Sequence, residues 1–462
     1  MKIIIIEPYD LNESYDIRSL TPNPGPIVVA SLLKQSGHDA EVISEYVTKL
    51  NIEDLRKADF VGISIATYNA SKGFNIARQI KKPVVFGGFH ASLMPEECLN
   101  YGNYVIRGDG YPIVDLARLL SHNRDDDIQQ IPNLVYKQNG RIVYNRTESK
   151  AVSVVPDYGL VRDYYKFNLK RLVRIPLLVN ASRGCPQDCT FCSIKAVYPD
   201  FKKKDVGTIL ADIQSQINHQ HPLAAVLPKI IWITDDNFAS DRRWAKDLLT
   251  ELARLKHNYC FTVQARIDVA QDDELLELMN KARVNRVYLG IESIDQASLD
   301  SFNKKSSLPD IESALKKFRG HGIDVHGLFV FGDDQFQKGD GRRVAEFVKR
   351  HGLSGALIQP LTPYPGTRFY RDLEMQNRIL HRNWEHYNGK VVFQPKNMTP
   401  AELLAEIYSC YSQVFSPWRV LRFFFTGNRG WKLEHLGEAI FRHLEKLKMK
   451  KYLEDELVHR RD

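Results

Sequence analysis

Strand-length apolar runs alternate with helix-length amphipathic segments twice along this chain, and that double alternation limits its fold more than any other feature. In residues 1–140 the runs fall at 3–6, 40–43, 60–65, 84–86 and 104–106, with helical patterns at 27–35, 72–80 and 113–120. Short links between them imply a parallel sheet covered by helices. From Leu177 the alternation restarts, with six runs at 177–180, 230–233, 261–264, 286–289, 327–330 and 356–358. Each of the first five is followed by an amphipathic segment of helix length. Six such βα units suit a partial barrel, whose working groups belong at the carboxyl ends of the strands. Between the two sets, 133–136 and 141–144 flank Asn139-Gly140, a strong hairpin signal.

The expected fold is therefore α/β: a doubly wound, Rossmann-like parallel-sheet domain at 1–140, a hairpin and linker at 141–176, a (βα)6 partial TIM barrel at 177–370 and a helical region at 371–462. In that last region Leu433, Leu436, Ile440, Leu444 and Leu447 form one apolar helix face suited to packing.

Three cysteines stand at the end of the first run of the second set, in Ser182-Arg183-Gly184-Cys185-Pro186-Gln187-Asp188-Cys189-Thr190-Phe191-Cys192. Thiolates so spaced on one loop are soft ligands for an iron–sulfur cluster or zinc. Structural zinc takes four protein ligands in a closed set, and this loop supplies three cysteines and no His. A four-iron cluster held by Cys185, Cys189 and Cys192 leaves one iron open to a non-protein ligand. A zinc knuckle, or three unrelated buried thiols, is the plainer alternative. Cys98, Cys260 and Cys410 are isolated and read as small core residues.

Composition narrows the class. The chain has 462 residues and a formal net charge of +8. No apolar run reaches the ~18 residues of a spanning helix, and residues 1–8 read as a first strand rather than a signal peptide. Scattered cysteines without a disulfide framework suit a reducing cytoplasm. The basic groups Lys202, Lys203, Lys204 and Lys446, Lys448, Lys450, Lys451 lack the aromatic-interleaved stripe of a nucleic-acid binder. They read as solvated helix faces, with acidic small molecules or an anionic membrane surface as weaker options.

The later strand ends are polar: Thr234-Asp235-Asp236-Asn237-Phe238, Gln264-Ala265-Arg266-Ile267-Asp268, Gly290-Ile291-Glu292-Ser293, Phe331-Gly332-Asp333-Asp334 and 359–367. Taken singly they are weak signals, since Asp-Asp-Asn commonly caps a helix. Together they would ring the cysteine loop with hydrogen-bonding groups suited to a polar ligand.

On these residues the chain resembles the radical S-adenosylmethionine superfamily. The resemblance implies that Cys185, Cys189 and Cys192 hold a [4Fe-4S] cluster whose open iron binds S-adenosylmethionine, cleaved on reduction to a 5′-deoxyadenosyl radical. It places Phe191 near adenine, Asp235 near the methionine amine, and Gln264, Arg266, Glu292 and Ser293 near the methionyl and ribose parts. It also implies an external electron donor such as flavodoxin or ferredoxin.

Upstream, Gly62-Ile63-Ser64-Ile65-Ala66-Thr67, the run 84–97 with Gly87-Gly88-Phe89-His90, and Arg107-Gly108-Asp109-Gly110 resemble cobalamin-binding domains fused to radical enzymes. The resemblance implies that Ser64, Thr67, Gly87, Gly88, His90 and Gly108 contact cobalamin. Paired glycines after a strand let a bulky ligand approach the backbone, although they also form ordinary turns, and a lone His is often a hydrogen-bonding residue. The cobalt-ligating Asp-x-His-x-x-Gly of many such domains is absent, since the first strand is followed by Glu7-Pro8-Tyr9-Asp10-Leu11-Asn12-Glu13.

The implied activity is cobalamin-dependent C-methylation of a small-molecule or lipid-like substrate. The alternatives are radical cyclisation, oxidation or rearrangement without methyl transfer, and a non-catalytic iron–sulfur or zinc protein. The stretch 417–425, rich in aromatics and Arg, suits a packed helix or a peripheral membrane contact.

Overall fold

The computed structural model describes residues 1–9, 21–122, 127–150, 153–164, 176–219, 229–255 and 259–415. The apolar stripe at 433–447, the lysines at 446–451 and the aromatic stretch 417–425 lie outside the described residues, as do residues 10–13. The chain divides into two compact units. The first comprises Met1–Gln187, Ser193–Asp236 and Lys256–Tyr259, and the second Asp188–Cys192, Asn237–Leu255 and Cys260–Asp462.

The first unit is built on seven strands: β1 (Lys2–Glu7), β2 (Asp39–Ser44), β3 (Phe60–Ser64), β4 (Val84–Gly87), β5 (Tyr104–Ile106), β6 (Leu134–Gln138) and β7 (Arg141–Tyr144). Their order is β2-β1-β3-β4-β5-β6-β7, with the first five parallel and the last two antiparallel. Ile3, Ile4, Ile5 and Ile6 are all buried, because a central parallel strand covered by helices has no wet face. The helix Pro24–Gln35 opens with Pro in its first turn and buries Ile27, Ala30 and Leu33 against that sheet. The strand order reverses between β1 and β3, the kind of switch point beside which open α/β sheets bind ligands.

The hairpin expected to bridge two domains instead forms the edge of this sheet, with Tyr104, Val105 and Ile106 paired to Tyr136, Val135 and Leu134. The Asn139-Gly140 turn formed as its sequence implies, with both residues at positive φ. What a local turn signal cannot specify is the strand that the hairpin then joins.

All six runs of the second set form strands: β8 (Leu177–Val179), β11 (Lys229–Ile233), β12 (Tyr259–Ala265), β13 (Val284–Glu292), β14 (Asp324–Phe331) and β15 (Gly355–Pro360). They make a six-stranded sheet in the order β15-β14-β13-β12-β11-β8, and every registered pair is parallel. Two short strands, β9 (Ser182–Arg183) and β10 (Lys202–Lys203), pair antiparallel just after β8.

In the second unit the edge strand β15 is covered by the helix Pro400–Val414, whose start is fixed by a capping box between Thr399 and Glu402. That helix buries Leu403, Leu404, Ile407, Cys410 and Val414. Its Tyr411 hydroxyl donates to the Ile358 carbonyl and accepts from the Ile358 N–H, each at 2.9 Å. Among the described residues no helix is long and apolar enough to cross a membrane.

Candidate active site

At the carboxyl ends of β3, β4 and β5 the first unit presents a set of glycine turns. Gly88 has φ +91°, and a Cβ there would come within 2.7 Å of Ile65 O and 3.1 Å of Ser64 Oγ. Only glycine fits that position. Gly87 differs, since a Cβ there would meet only Ile106 O, at an ordinary contact distance of 3.9 Å. Ser92 ties two turns together by donating to Gly88 O and accepting from Gly108 N, both at 2.8 Å.

His90 is wholly buried. Its Nδ1 lies 3.4 Å from Thr67 Oγ1 and its Nε2 3.2 Å from Glu97 Oε2. These contacts make His90 and Thr67 a brace beneath the glycine turns. At the end of β1, where a cobalt-ligating His is absent, Glu7 is buried and accepts from Ser44 Oγ at 2.6 Å and Asn23 N at 3.1 Å. Burial pushes its carboxyl up to about 7 against those hydrogen bonds.

The lead into the cysteine loop, also in the first unit, hangs on two carboxylates, Asp235 buried and Asp236 partly buried. Asp235 Oδ1 accepts from the backbone N–H groups of Ala181 and Ser182 at 2.8 Å each, and Oδ2 accepts from Ser182 Oγ at 2.5 Å. Asp236 Oδ2 accepts from Gly184 N at 2.8 Å. Burial is the main force on both, pushing Asp235 up to about 7 and Asp236 up to about 6. Gly184 has φ +77°, and a Cβ there would collide with Asp200 O.

Arg183 leads in the other direction. Its Nε is 2.7 Å from Asp109 Oδ1, in the turn after β5. Its guanidinium lies 5.7 Å from the Tyr198 ring centre, and Tyr198 meets Phe89 edge-to-face at 5.7 Å. A glycine turn and the residues just ahead of Cys185 are thereby joined within one unit.

The second unit holds the rest of the loop. Thr190 N donates to Phe302 O at 3.1 Å, and Phe369 N to Thr190 O at 3.0 Å. Asp188 O accepts from Asn303 Nδ2 at 2.9 Å and Arg368 Nη2 at 2.8 Å. Cys192 N closes a turn onto Cys189 O at 3.2 Å, and Phe191 packs edge-on against Phe302 at 5.2 Å.

Beside this turn, Arg266 Nη1 approaches Cys189 Sγ at 3.9 Å while Nη2 donates to Lys304 O at 2.7 Å. Lys304 Nζ pairs with Glu292 Oε1 at 2.7 Å, both side chains nearly buried. The sheet is irregular here, its register shifting between Gly290 and Glu292. Glu292 itself has φ +68°. A Cβ on Gly290 would come within 2.7 Å of Glu292 Oε1 and 3.0 Å of Lys304 Nζ. The Gly-Ile-Glu-Ser bulge thus leaves room for a buried ion pair.

Of the residues singled out from sequence, the second unit gathers Cys189, Phe191, Arg266 and Glu292 around the segment 302–304. Gln264 is half-buried and its carbonyl accepts from Phe238 N at 2.8 Å. Ser293 Oγ accepts from Asp295 N at 3.1 Å, next to the cap of the helix Gln296–Ser301. Ser64 and Gly87 are half-exposed on the strand-end face. Sequence reading assigned no role to Asp109, Arg183, Lys304 or Arg368. The first two stood inside quoted motifs, whereas Lys304 and Arg368 carried no local signal.

None of the three loop cysteines is in a disulfide, and all are partly exposed. Among the described residues no group of three or more His, Cys, Asp or Glu side chains forms a ready metal-binding set. The donor chemistry fits a thiolate-held cluster: three thiols on one anchored loop, with a guanidinium directed at one sulfur. The uncrowded, half-exposed Gly87 beside the strained Gly88 fits close approach of a bulky group.

Comparison with known proteins agrees with both fits. Residues 179–338 match the model of the Radical SAM superfamily, and residues 16–117 match the B12 binding domain. The chain is 23% identical to bacteriochlorophyllide d C-12(1)-methyltransferase of Chlorobaculum tepidum, covering 85% of this chain and 82% of that protein. It is also 23% identical to the anaerobic magnesium-protoporphyrin IX monomethyl ester cyclase of Rubrivivax gelatinosus, covering 93% and 80%. The fold is similar to that of the cobalamin-dependent S-adenosylmethionine radical enzyme OxsB, with a TM-score of 0.72 and 15% identity over 97% of this chain and 72% of that one. The cysteine loop therefore lies in a radical SAM domain, and the glycine turns in a B12-binding domain ahead of it.

Proposed function

We propose that this chain methylates an unactivated carbon of a small molecule, using a [4Fe-4S] cluster, S-adenosylmethionine and cobalamin. When bound, these groups supply a one-electron cleavage of S-adenosylmethionine to a 5′-deoxyadenosyl radical and a methyl group for the substrate. Cys185, Cys189 and Cys192 would hold the cluster. Phe191 in the cysteine loop and Gln264, Glu292 and Ser293 at the strand ends would meet S-adenosylmethionine, and Asp235 serves them indirectly by fixing the backbone ahead of Cys185. Ser64, Gly87, Gly88 and Gly108 would form the face against cobalamin, with His90 and Thr67 bracing it from beneath. An external donor such as flavodoxin or ferredoxin would deliver the electron.

One observation carries the use of both cofactors in a single reaction. Arg183, two residues ahead of Cys185, is ion-paired to Asp109 of the glycine turn after β5. The relatives named as methyltransferases supply the reaction type, and the tetrapyrroles in their names are the first substrates to assay. A second reading, radical cyclisation, is favoured by the cyclase relative, which matches more of this chain than the methyltransferase does.

The test is anaerobic reconstitution with iron, sulfide and cobalamin, followed by reductant, S-adenosylmethionine and candidate substrates. The expected result is 5′-deoxyadenosine from the wild type and none from Cys185→Ala, with S-adenosylhomocysteine and a methylated product alongside. 5′-Deoxyadenosine without S-adenosylhomocysteine would favour cyclisation. No 5′-deoxyadenosine from a fully loaded wild type would overturn both readings.

A further inference from the structure

Arg266 directly follows β12, with its guanidinium held on two sides. Nη2 donates to Lys304 O at 2.7 Å, and Nε stands 3.6 Å from Asp268 Oδ1. Only 12% of the Arg266 side chain is exposed. The Lys304 side chain is in turn fixed to Glu292, itself locked in a left-handed conformation beside Gly290. With these partners in place, Nη1 is left facing Cys189 Sγ at 3.9 Å. The fork is rigid before any ligand arrives, and all of its partners belong to the second unit.

A fixed positive donor at a ligating sulfur has a definite effect on an iron–sulfur cluster. Reduction adds one electron to the cluster and spreads negative charge onto its sulfurs. Hydrogen bonds and positive charge at those sulfurs stabilise the reduced form, and so raise the reduction potential. Partial burial strengthens the effect by lowering the local dielectric.

We infer that Arg266 is a positioning residue that sets the reduction potential of the cluster through Cys189, independently of any contact with S-adenosylmethionine. The inference rests on the reading of Cys189 as a cluster ligand. It makes no new bond, and the single electron comes from the external donor. Arg266 was expected from sequence to meet the methionyl or ribose part of S-adenosylmethionine. The two roles separate when the potential is measured with no S-adenosylmethionine present.

The experiment compares reconstituted wild type, Arg266→Gln and Arg266→Lys, each analysed for iron and sulfide and then poised potentiometrically under electron paramagnetic resonance without S-adenosylmethionine. Arg266→Gln should show a more negative potential. At the wild-type midpoint the ratio of reduced to oxidised cluster should fall about tenfold, which for a one-electron couple is 59 mV. Arg266→Lys, which keeps the charge and loses the fork, should fall between the two. Equal potentials in wild type and a cluster-loaded Arg266→Gln would overturn the inference, and a selective loss of S-adenosylmethionine affinity would assign Arg266 to that ligand instead.

Should neither variant load a cluster, reduced wild type labelled with 15N-arginine decides. A hyperfine coupling to an arginine nitrogen is expected without S-adenosylmethionine, and its absence overturns the inference. Failure of the wild type itself to load a four-iron cluster would sink the underlying assignment of the cysteines, a distinguishable result.

Discussion

The glycine turns after β3 to β5 and the backbone leading into Cys185 are both strand-end structures of the first unit, yet they are supported by opposite chemistry. The turns rest on backbone shape and uncharged hydrogen bonds: a strained Gly88 and the Ser92 hydroxyl that bridges Gly88 and Gly108. The cysteine lead hangs on two carboxyls, the buried Asp235 and the partly buried Asp236, that accept three backbone N–H groups between them. Shape secures the turns and depends little on pH. Carboxyls secure the cysteine lead and hold their protons more tightly in the folded protein, so its stability should follow the proton.

The largest expected effect breaks the shape-based side. Gly88→Ala should cost about 3–5 kcal/mol in denaturant unfolding, combining left-handed strain with collision against Ile65. Gly87→Ala should cost less than about 1 kcal/mol, because a Cβ there meets only ordinary contact. Equal costs would mean that the turn can relax and that its shape is not fixed.

Next comes the charged side. Asp235→Ala leaves two buried N–H groups and a hydroxyl without their acceptor and should cost about 3 kcal/mol, whereas Asp235→Asn should cost about 1 kcal/mol. A near-zero cost for the alanine variant would show that the lead holds its place without the carboxyl.

The pH dependence follows with a smaller effect. The folded protein holds the Asp235 proton more tightly than the unfolded chain does, from the ordinary 3.8 up to about 7. The stabilisation is therefore complete below about pH 4 and is lost as pH rises through about 7. The measured penalty of Asp235→Asn should therefore shrink as pH rises across that window and turn into a net stabilisation at its upper end, while the penalty of Gly87→Ala stays flat. A penalty that grows with pH would reverse the sign and the argument.

The smallest change sharpens the comparison. Ser92→Ala removes both hydrogen bonds that join Gly88 to Gly108 and should cost about 1–2 kcal/mol, equally at pH 5 and pH 8. Thermal denaturation at the two pH values checks it.

What could be read from the sequence was whatever depends on neighbours along the chain. Apolar runs gave every strand of both sheets that they implied, and the C-x3-C-x2-C spacing singled out the loop at 185–192. Direction and distant partners were not legible. His90 was identified as a residue of interest, but nothing local said that its ring points inward to Thr67 and Glu97. The run Asp235-Asp236-Asn237 invited a helix-cap reading. The cap of the helix Arg242–Ala253 is instead Asp241, which frees Asp235 to reach back to residues 181 and 182. Lys304 was invisible because its value lies in meeting Glu292 and Arg266, which stand 12 and 38 residues away.

The Tyr411 hydroxyl on β15 has a consequence for how this protein behaves in a crowded solution. An outermost strand ordinarily offers its free amides and carbonyls to any extended segment that drifts past, and sheets grow or clump by that route. Here one side chain occupies both groups of Ile358 in the middle of the strand, and its helix lies along the rest. A visiting strand would have to displace a phenol and unseat a helix before forming its first bond, so this rim is closed to recruitment without being closed into a ring.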